Sequence, residues 1–239
     1  MRSVDSGAGD RGQLAAVLWD MDGTLVRTEE LWMAAEIATM AAFGGHWDAQ
    51  DQAVAIGGPL DRVVRYMADR VGHPEAEVGR RLTDEIEHRM RTEEIPWMPG
   101  ARELHDALVA AGVPQALVSN SWRALMDAAL AELATSFEVI IAGDELARSK
   151  PDPLPYLMAC QRLGAEPTSA VVIEDSPTGV AAGLAAGCAV LGVPHFGELP
   201  AAPRLTVTAS LTAWTPADLA ALTALGLPAG EAARLPGTS

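Results

Sequence analysis

An α/β fold, a parallel sheet with an inserted all-helical domain, is what this sequence predicts, and three observations predict it. Short apolar runs, each closed by polar residues, recur along the chain. Helical stretches of ten or more residues separate the later runs, the pattern of a parallel sheet covered by helices. One interval breaks the rhythm: 98 residues lie between Asp20 and Ser119, whereas a single strand–helix–strand unit needs about 30 or slightly more.

In chain order, a polar leader runs to about Gly12, and residues 1–12 are expected to be flexible. LAAVLWD (Leu14 to Asp20) reads as a buried parallel strand. From Leu31 to Trp97 no strand-like run occurs, but Val63, Val64, Met67 and Val71, then Val78, Leu82, Ile86 and Met90, mark apolar helical faces. Leu31 to Phe43 is apolar nearly all round and is expected to be buried. Pro99-Gly100 opens a helix with Leu104, Leu108 and Ala111 on one side. Strands follow at Pro114–Asn120, Phe137–Asp144, Ser169–Asp175 and Cys188–Val193, with helices at Trp122–Leu133, Pro153–Leu163 and Pro177–Ala186 between them. Arg204 to Leu211 reads as an edge strand, and the Ala/Pro/Gly-rich tail after Trp214 is weakly specified. The division that results is a core of 13–30 and 97–211, a helical insert of 31–96 and a tail of 212–239.

Composition narrows the function. With 49% hydrophobic and 21% charged residues the chain can build a core, so disorder is excluded as its main state. No run of 18 apolar residues spans a membrane, and the first dozen residues hold no secretory signal. A net charge of -15 argues against nucleic acid or an anionic membrane as partner. Two cysteines, Cys160 and Cys188, fit a reducing, cytoplasmic setting. Of 17 basic residues only Lys150 is a lysine, which marks a place where a compact ammonium serves and a guanidinium does not.

Polar residues at the strand ends, where open α/β sheets place their ligands, fall into four groups. Asp20-Met21-Asp22-Gly23-Thr24 offers two carboxylates two apart, suited to a nucleophile and a proton carrier. Ser119-Asn120-Ser121 offers hydroxyl, amide and backbone N–H groups to an anion. Lys150 stands before Pro151, which holds it extended. Glu174-Asp175 closes a wholly apolar strand, and paired carboxylates there call for a hard dication such as Mg²⁺. Together these groups describe a metal-plus-lysine cradle for a phosphoryl group beside a carboxylate nucleophile.

In this order, DMDGT, a serine, a lysine before proline and EDS resemble the four motifs of the haloacid dehalogenase superfamily, over about Leu14 to Val193. The insert resembles the helical cap of the subfamily holding β-phosphoglucomutase and many small phosphatases, on a Rossmann-like core. The resemblance implies an Mg²⁺-dependent phosphomonoesterase in which Asp20 forms an aspartyl-phosphate and Asp22 carries protons and lends its backbone carbonyl to Mg²⁺. It implies that Ser119, Asn120 and Lys150 hold phosphoryl oxygens, that Asp175 binds Mg²⁺ with Asp20, and that Glu174 supports the ion's water shell. In the cap, Arg62 and Trp32 are candidate substrate contacts; the single histidines read as surface or core residues standing near no other ligand type.

The acidic chain favours a small phosphorylated metabolite, such as a hexose phosphate, as the substrate, and the protein is expected to be a monomer or alternatively a dimer. Dehalogenation has no use for Asp22, and a phosphonatase needs a cap lysine that this insert lacks. A sugar phosphomutase shares the core, but β-phosphoglucomutases carry a histidine at the position of Trp32, and Thr28-Glu29-Glu30-Leu31-Trp32 looks like the linker of sugar-phosphate phosphatases. Arg27 departs from the acidic residue often found there. A phospho-accepting receiver would place its acidic pair before the accepting Asp and lack the insert, and a silent binding protein would not need the full motif set.

Overall fold

The structure, a computed structural model, describes residues 14–55, 60–195 and 197–224. The leader of 1–12, the residues at 57–59 and the tail beyond 224 lie outside it. The elements run β1 (Ala16–Trp19), α1 (Glu29–Ala42), α2 (Ala49–Ala55), α3 (Leu60–Val71), α4 (Glu75–Thr92), α5 (Ala101–Ala110), β2 (Gln115–Val118), α6 (Arg123–Leu133), β3 (Val139–Ile141), α7 (Leu154–Leu163), β4 (Ala170–Glu174), α8 (Pro177–Ala185), β5 (Ala189–Gly192), β6 (Leu205–Val207) and α9 (Pro216–Thr223).

The strands pair in the order β3-β2-β1-β4-β5-β6, all parallel. The central strands are mostly apolar because helices cover both faces, and the buried Gln115 of β2 is satisfied by Trp19 Nε1 at 2.8 Å. Val17, Trp19, Leu117, Val171 and Ile173 face a core shared with Leu104 and Leu108 of α5, Met126 of α6 and Leu219 of α9. Their neighbours Ala16, Leu18, Ala116, Val118 and Val172 face a second core with Tyr156 and Cys160 of α7 and Val180 of α8. From β1 the chain proceeds to β2 and β3 on one side and later to β4, β5 and β6 on the other. The carboxyl ends of β1, β2 and β4 therefore meet at the crevice where the strand order reverses.

Helices α1 to α4 lie between β1 and α5. The chain leaves and returns as a paired crossing: Val26 bridges Trp97, Arg27 N–H donates to Pro96 O at 2.8 Å, and Met98 N–H to Leu25 O at 2.9 Å. Val63, Val64 and Met67 of α3 and Val78, Leu82, Ile86 and Met90 of α4 are buried, as their four-residue steps predict. Two expectations need correction. Helix α1 is not buried all round: Met33 and Ile37 are 43% and 46% exposed, while Glu36 and Thr39 face inward. Its packing against α4 fixes which face is covered, and a tertiary partner satisfies Glu36. The weakly specified tail contains α9, started by Thr215 and Asp218 in a reciprocal capping box with Pro216 in the first turn, and held by buried Leu219 and Leu222. Among the described residues no helix is long and apolar enough to cross a membrane.

Candidate active site

Asp20 follows β1 directly, and its N–H donates to Ile173 O of β4 at 3.0 Å. A tight turn over Met21 to Val26 comes next, with the Leu25 and Val26 N–H groups both reaching Met21 O. Gly23 sits in it at φ +83°, where a Cβ would lie 2.5 Å from Asp175 Oδ2 and 2.9 Å from Glu29 Oε1. The turn can bring these carboxylates together only because no side chain stands between them.

Lys150 enters from the loop after β3, clamped by Asn120: its N–H donates to Asn120 Oδ1 at 3.1 Å and its carbonyl accepts from Asn120 Nδ2 at 3.4 Å. The buried ammonium donates to Asp20 Oδ1 at 2.5 Å, Glu174 Oε1 at 2.7 Å and Val118 O at 2.8 Å, so each of its three N–H bonds has an acceptor. Burial alone would lower its pKa, but Asp20 and Glu174 outweigh that and hold it at about 12.

Glu174 is fully buried and tied at both oxygens. Oε1 also accepts from the Tyr156 hydroxyl at 2.9 Å, and Oε2 from Ser176 N–H and Oγ at 3.1 and 3.0 Å. This carboxylate therefore anchors Lys150. One oxygen each from Asp20, Glu174 and Asp175 lie within 4.8 Å of one another. Burial, reinforced by their mutual repulsion, pushes Asp20 up to about 8 and Asp175 up to about 9 in spite of Lys150. Hard oxygen donors crowded in a low-dielectric site, with one ammonium among them, are short of positive charge. They fit a hard dication.

Asp22 points the other way. Its Oδ1 accepts from Thr28 Oγ1 at 2.6 Å and Trp32 Nε1 at 3.0 Å, and its Oδ2 from Ser121 Oγ at 2.9 Å and Ser119 Oγ at 3.3 Å. Its carboxylate is thus separate from the crowded trio and aimed at the ends of β2 and α1.

A cavity of about 130 Å³ joins these groups, with Asp20, Asp22, Ser119, Asn120, Lys150 and Asp175 on the sheet side and Trp32, Glu36, Gln52, Ala55, Leu60 and Val63 on the helical side. Of the residues expected from sequence, only two stand outside it. Glu174 is sealed behind Lys150, and Arg62 is turned away, donating from Nη2 to Val54 O at 2.8 Å. His195 does stand near a carboxylate, 3.9 Å from Glu29 Oε1, so that histidine is not isolated from ligand-type groups. The expectation missed Tyr156, Glu29, Glu36 and Gln52; Ser121 was named in the second motif, but its hold on Asp22 was not foreseen. Burial raises the Glu29 carboxyl and pushes Glu36 up to about 7.

Residues 17–193 match the family described as haloacid dehalogenase-like hydrolase. The chain is 33% identical over 195 residues to Protein CbbY of Rhodobacter capsulatus, covering 76% of this chain and 86% of that one. It is 34% identical over 187 residues to Hexitol phosphatase A of Escherichia coli K12, covering 77% and 84%. Its fold superposes on a crystal structure of a CbbY mutant from Rhodobacter sphaeroides in complex with xylulose-(1,5)bisphosphate, with TM-score 0.75, 30% identity and coverage of 84% and 96%. The chain belongs to the haloacid dehalogenase-like hydrolases.

Proposed function

We propose that this haloacid dehalogenase-like hydrolase is a phosphomonoesterase acting on a small phosphorylated metabolite, a sugar or polyol phosphate, with Asp20 as nucleophile. The observation that carries the reading is the division of labour between two carboxylates two residues apart. Asp20 is bound to Lys150 at the floor of the cavity, while Asp22 is held by four neutral donors at its side. Asp20 attacks phosphorus as the ester P–O bond breaks, and the leaving oxygen takes a proton from Asp22. Asp22 then removes a proton from water, which attacks the phosphorus; the bond to Asp20 breaks and inorganic phosphate leaves. Lys150, Ser119 and Asn120 with nearby backbone N–H groups stabilise the charge on the phosphoryl oxygens.

Asp20, Asp175 and the Asp22 backbone carbonyl would hold Mg²⁺, which when bound neutralises charge on the phosphoryl oxygens. Trp32 supports hydrolysis over a mutase reaction. Its indole donates to Asp22 but can neither accept nor relay a proton, as a histidine there could. We assign 31–96 the role of a cap over the cavity, around a core of 13–30 and 97–211, and place the enzyme in the cytoplasm, where its two buried free cysteines stay reduced.

The test is phosphate release from hexose and hexitol monophosphates and an aryl phosphate, with Mg²⁺ or with EDTA, by the wild type and Asp20→Asn. Release that needs the metal and disappears in the variant is expected. Undiminished release by Asp20→Asn would overturn the assignment of the nucleophile, and interconversion of sugar phosphates without release would point to a mutase.

A further inference from the structure

The cap side of the cavity bears on the alcohol half of the ester, and what it indicates rests on the phosphatase reading above. Trp32 and Glu36 stand one helical turn apart on α1, and Gln52 and Ala55 face them from α2. Glu36 is 3% exposed. It accepts from Trp47 Nε1 at 3.0 Å, and that indole is shared with Gln52 Oε1, also at 3.0 Å. Gln52 lines the cavity beside Glu36. A carboxylate has about four lone-pair sites, so Glu36 retains capacity to accept from a hydroxyl, and Gln52 offers both a donor and an acceptor.

Charge is as informative as these bonds. Among the described residues lining the cavity, Asp20, Asp22, Glu29, Glu36 and Asp175 are acidic and Lys150 is the sole cation. All three of its N–H bonds are already committed at the floor. Two arginines of α3 are bound elsewhere, Arg62 to Val54 O and Arg70 to Asp51 at 2.6 Å. Neither Glu29 oxygen accepts a hydrogen bond among the described residues. A metal at the floor would serve the phosphate being transferred and leave the cap wall acidic. A second phosphate or a carboxylate on the substrate would there lose its water beside Glu36 with no counter-charge.

We propose that this cavity selects monophosphate esters of uncharged, hydroxylated alcohols, with Glu36 and Gln52 reading a substrate hydroxyl, and rejects esters whose alcohol half carries a second anion. Selection works both ways, through hydrogen bonds made with the hydroxyl and through the uncompensated loss of water around a competitor's second anion.

The experiment compares kcat/KM for a hexitol monophosphate, 2-phosphoglycolate and xylulose 1,5-bisphosphate, with an aryl phosphate as the indicator of phosphatase chemistry. The wild type is expected to favour the hexitol ester at least tenfold over both competitors with an anionic tail. Glu36→Gln and Gln52→Arg should each shrink that ratio by tenfold or more, the second by raising turnover of the anionic esters. Turnover of the aryl phosphate together with a preference for either anionic ester in the wild type would overturn the inference and leave the phosphatase reading standing. Ratios unmoved in both folded variants would also overturn it. Failure to hydrolyse any ester, the aryl phosphate included, would bring down the phosphatase reading and this inference with it.

Discussion

Glu36→Gln also makes a thermodynamic prediction that needs no substrate. Burial pushes the Glu36 carboxyl from its ordinary 4.5 up to about 7, with Trp47 and Gln52 offsetting part of the rise. The folded protein therefore holds this proton more tightly than the unfolded chain does. The associated stabilisation is complete below about pH 4.5 and is lost as pH rises through about 7. The interval of about 2.5 pH units, at about 1.4 kcal/mol each, amounts to about 3.5 kcal/mol in full, of which about 3 kcal/mol falls between about pH 4.5 and pH 8. Glutamine keeps the shape and an acceptor for Trp47 but does not ionise. The stability of Glu36→Gln relative to wild type should thus improve by up to about 3 kcal/mol between about pH 4.5 and pH 8. Urea unfolding of both proteins at steps of pH, in EDTA, measures the difference and cancels groups that titrate alike in the two. A gap that stays constant across that range would refute the claim that Glu36 is desolvated in the ligand-free cavity.

Three further substitutions probe the floor and the rim. Gly179→Ala would place a Cβ 1.6 Å from Glu174 Oε1; displacing that carboxylate should cost about 2 kcal/mol or more in chemical denaturation and lower kcat more than tenfold, and a silent variant would mean Glu174 is not held where it is described. Lys150→Arg keeps the charge but cannot meet three acceptors arranged around one nitrogen, so kcat should fall by about a hundredfold or more; near-normal turnover would show that charge alone suffices. Arg62→Ala, removing an exposed side chain that bonds Val54 O, should leave kcat/KM within about twofold and stability within about 0.5 kcal/mol, whereas a tenfold rise in KM for the best ester would bring Arg62 into the site.

Much of this molecule was legible in the sequence because its central strands are covered on both faces. The runs at β1, β2 and β4 are almost wholly apolar, and each closes on polar residues that now meet at one crevice. The helical side was harder to read because long-range packing decides it. The pattern of α1 says that it is apolar, but contact with α4 leaves Met33 and Ile37 outside and turns Glu36 inward. Glu36 is tolerated there because Trp47, eleven residues on, supplies its donor, and nothing local to Glu36 announces that partner. Tyr156 is similar: on α7 it reads as core, and only the pairing of β4 beside β1 brings Glu174 to its hydroxyl. The start of α9 was readable after all, since Thr215-Pro216 followed by Asp218 is a helix-opening signal that the Ala-rich composition obscured.

The bias among basic residues acquires a physical account at Lys150. On the helical surfaces arginine serves well: Arg89 spans Glu85 and Glu93, and Arg91 places both Nε and Nη2 on Glu87 Oε1. Such sites reward a planar fork reaching along one side of a helix. The floor of the cavity asks for something else. Asp20 Oδ1, Glu174 Oε1 and Val118 O surround one point from three strands, within 2.5 to 2.8 Å of a single nitrogen. An ammonium has three N–H bonds radiating from one atom and fills that arrangement; a guanidinium spreads its donors over a plane and would leave an acceptor unmet or push the carboxylates apart. Those carboxylates are the nucleophile and the anchor that positions its partner, so the substitution tolerated at 16 basic positions fails at the one where geometry and chemistry coincide.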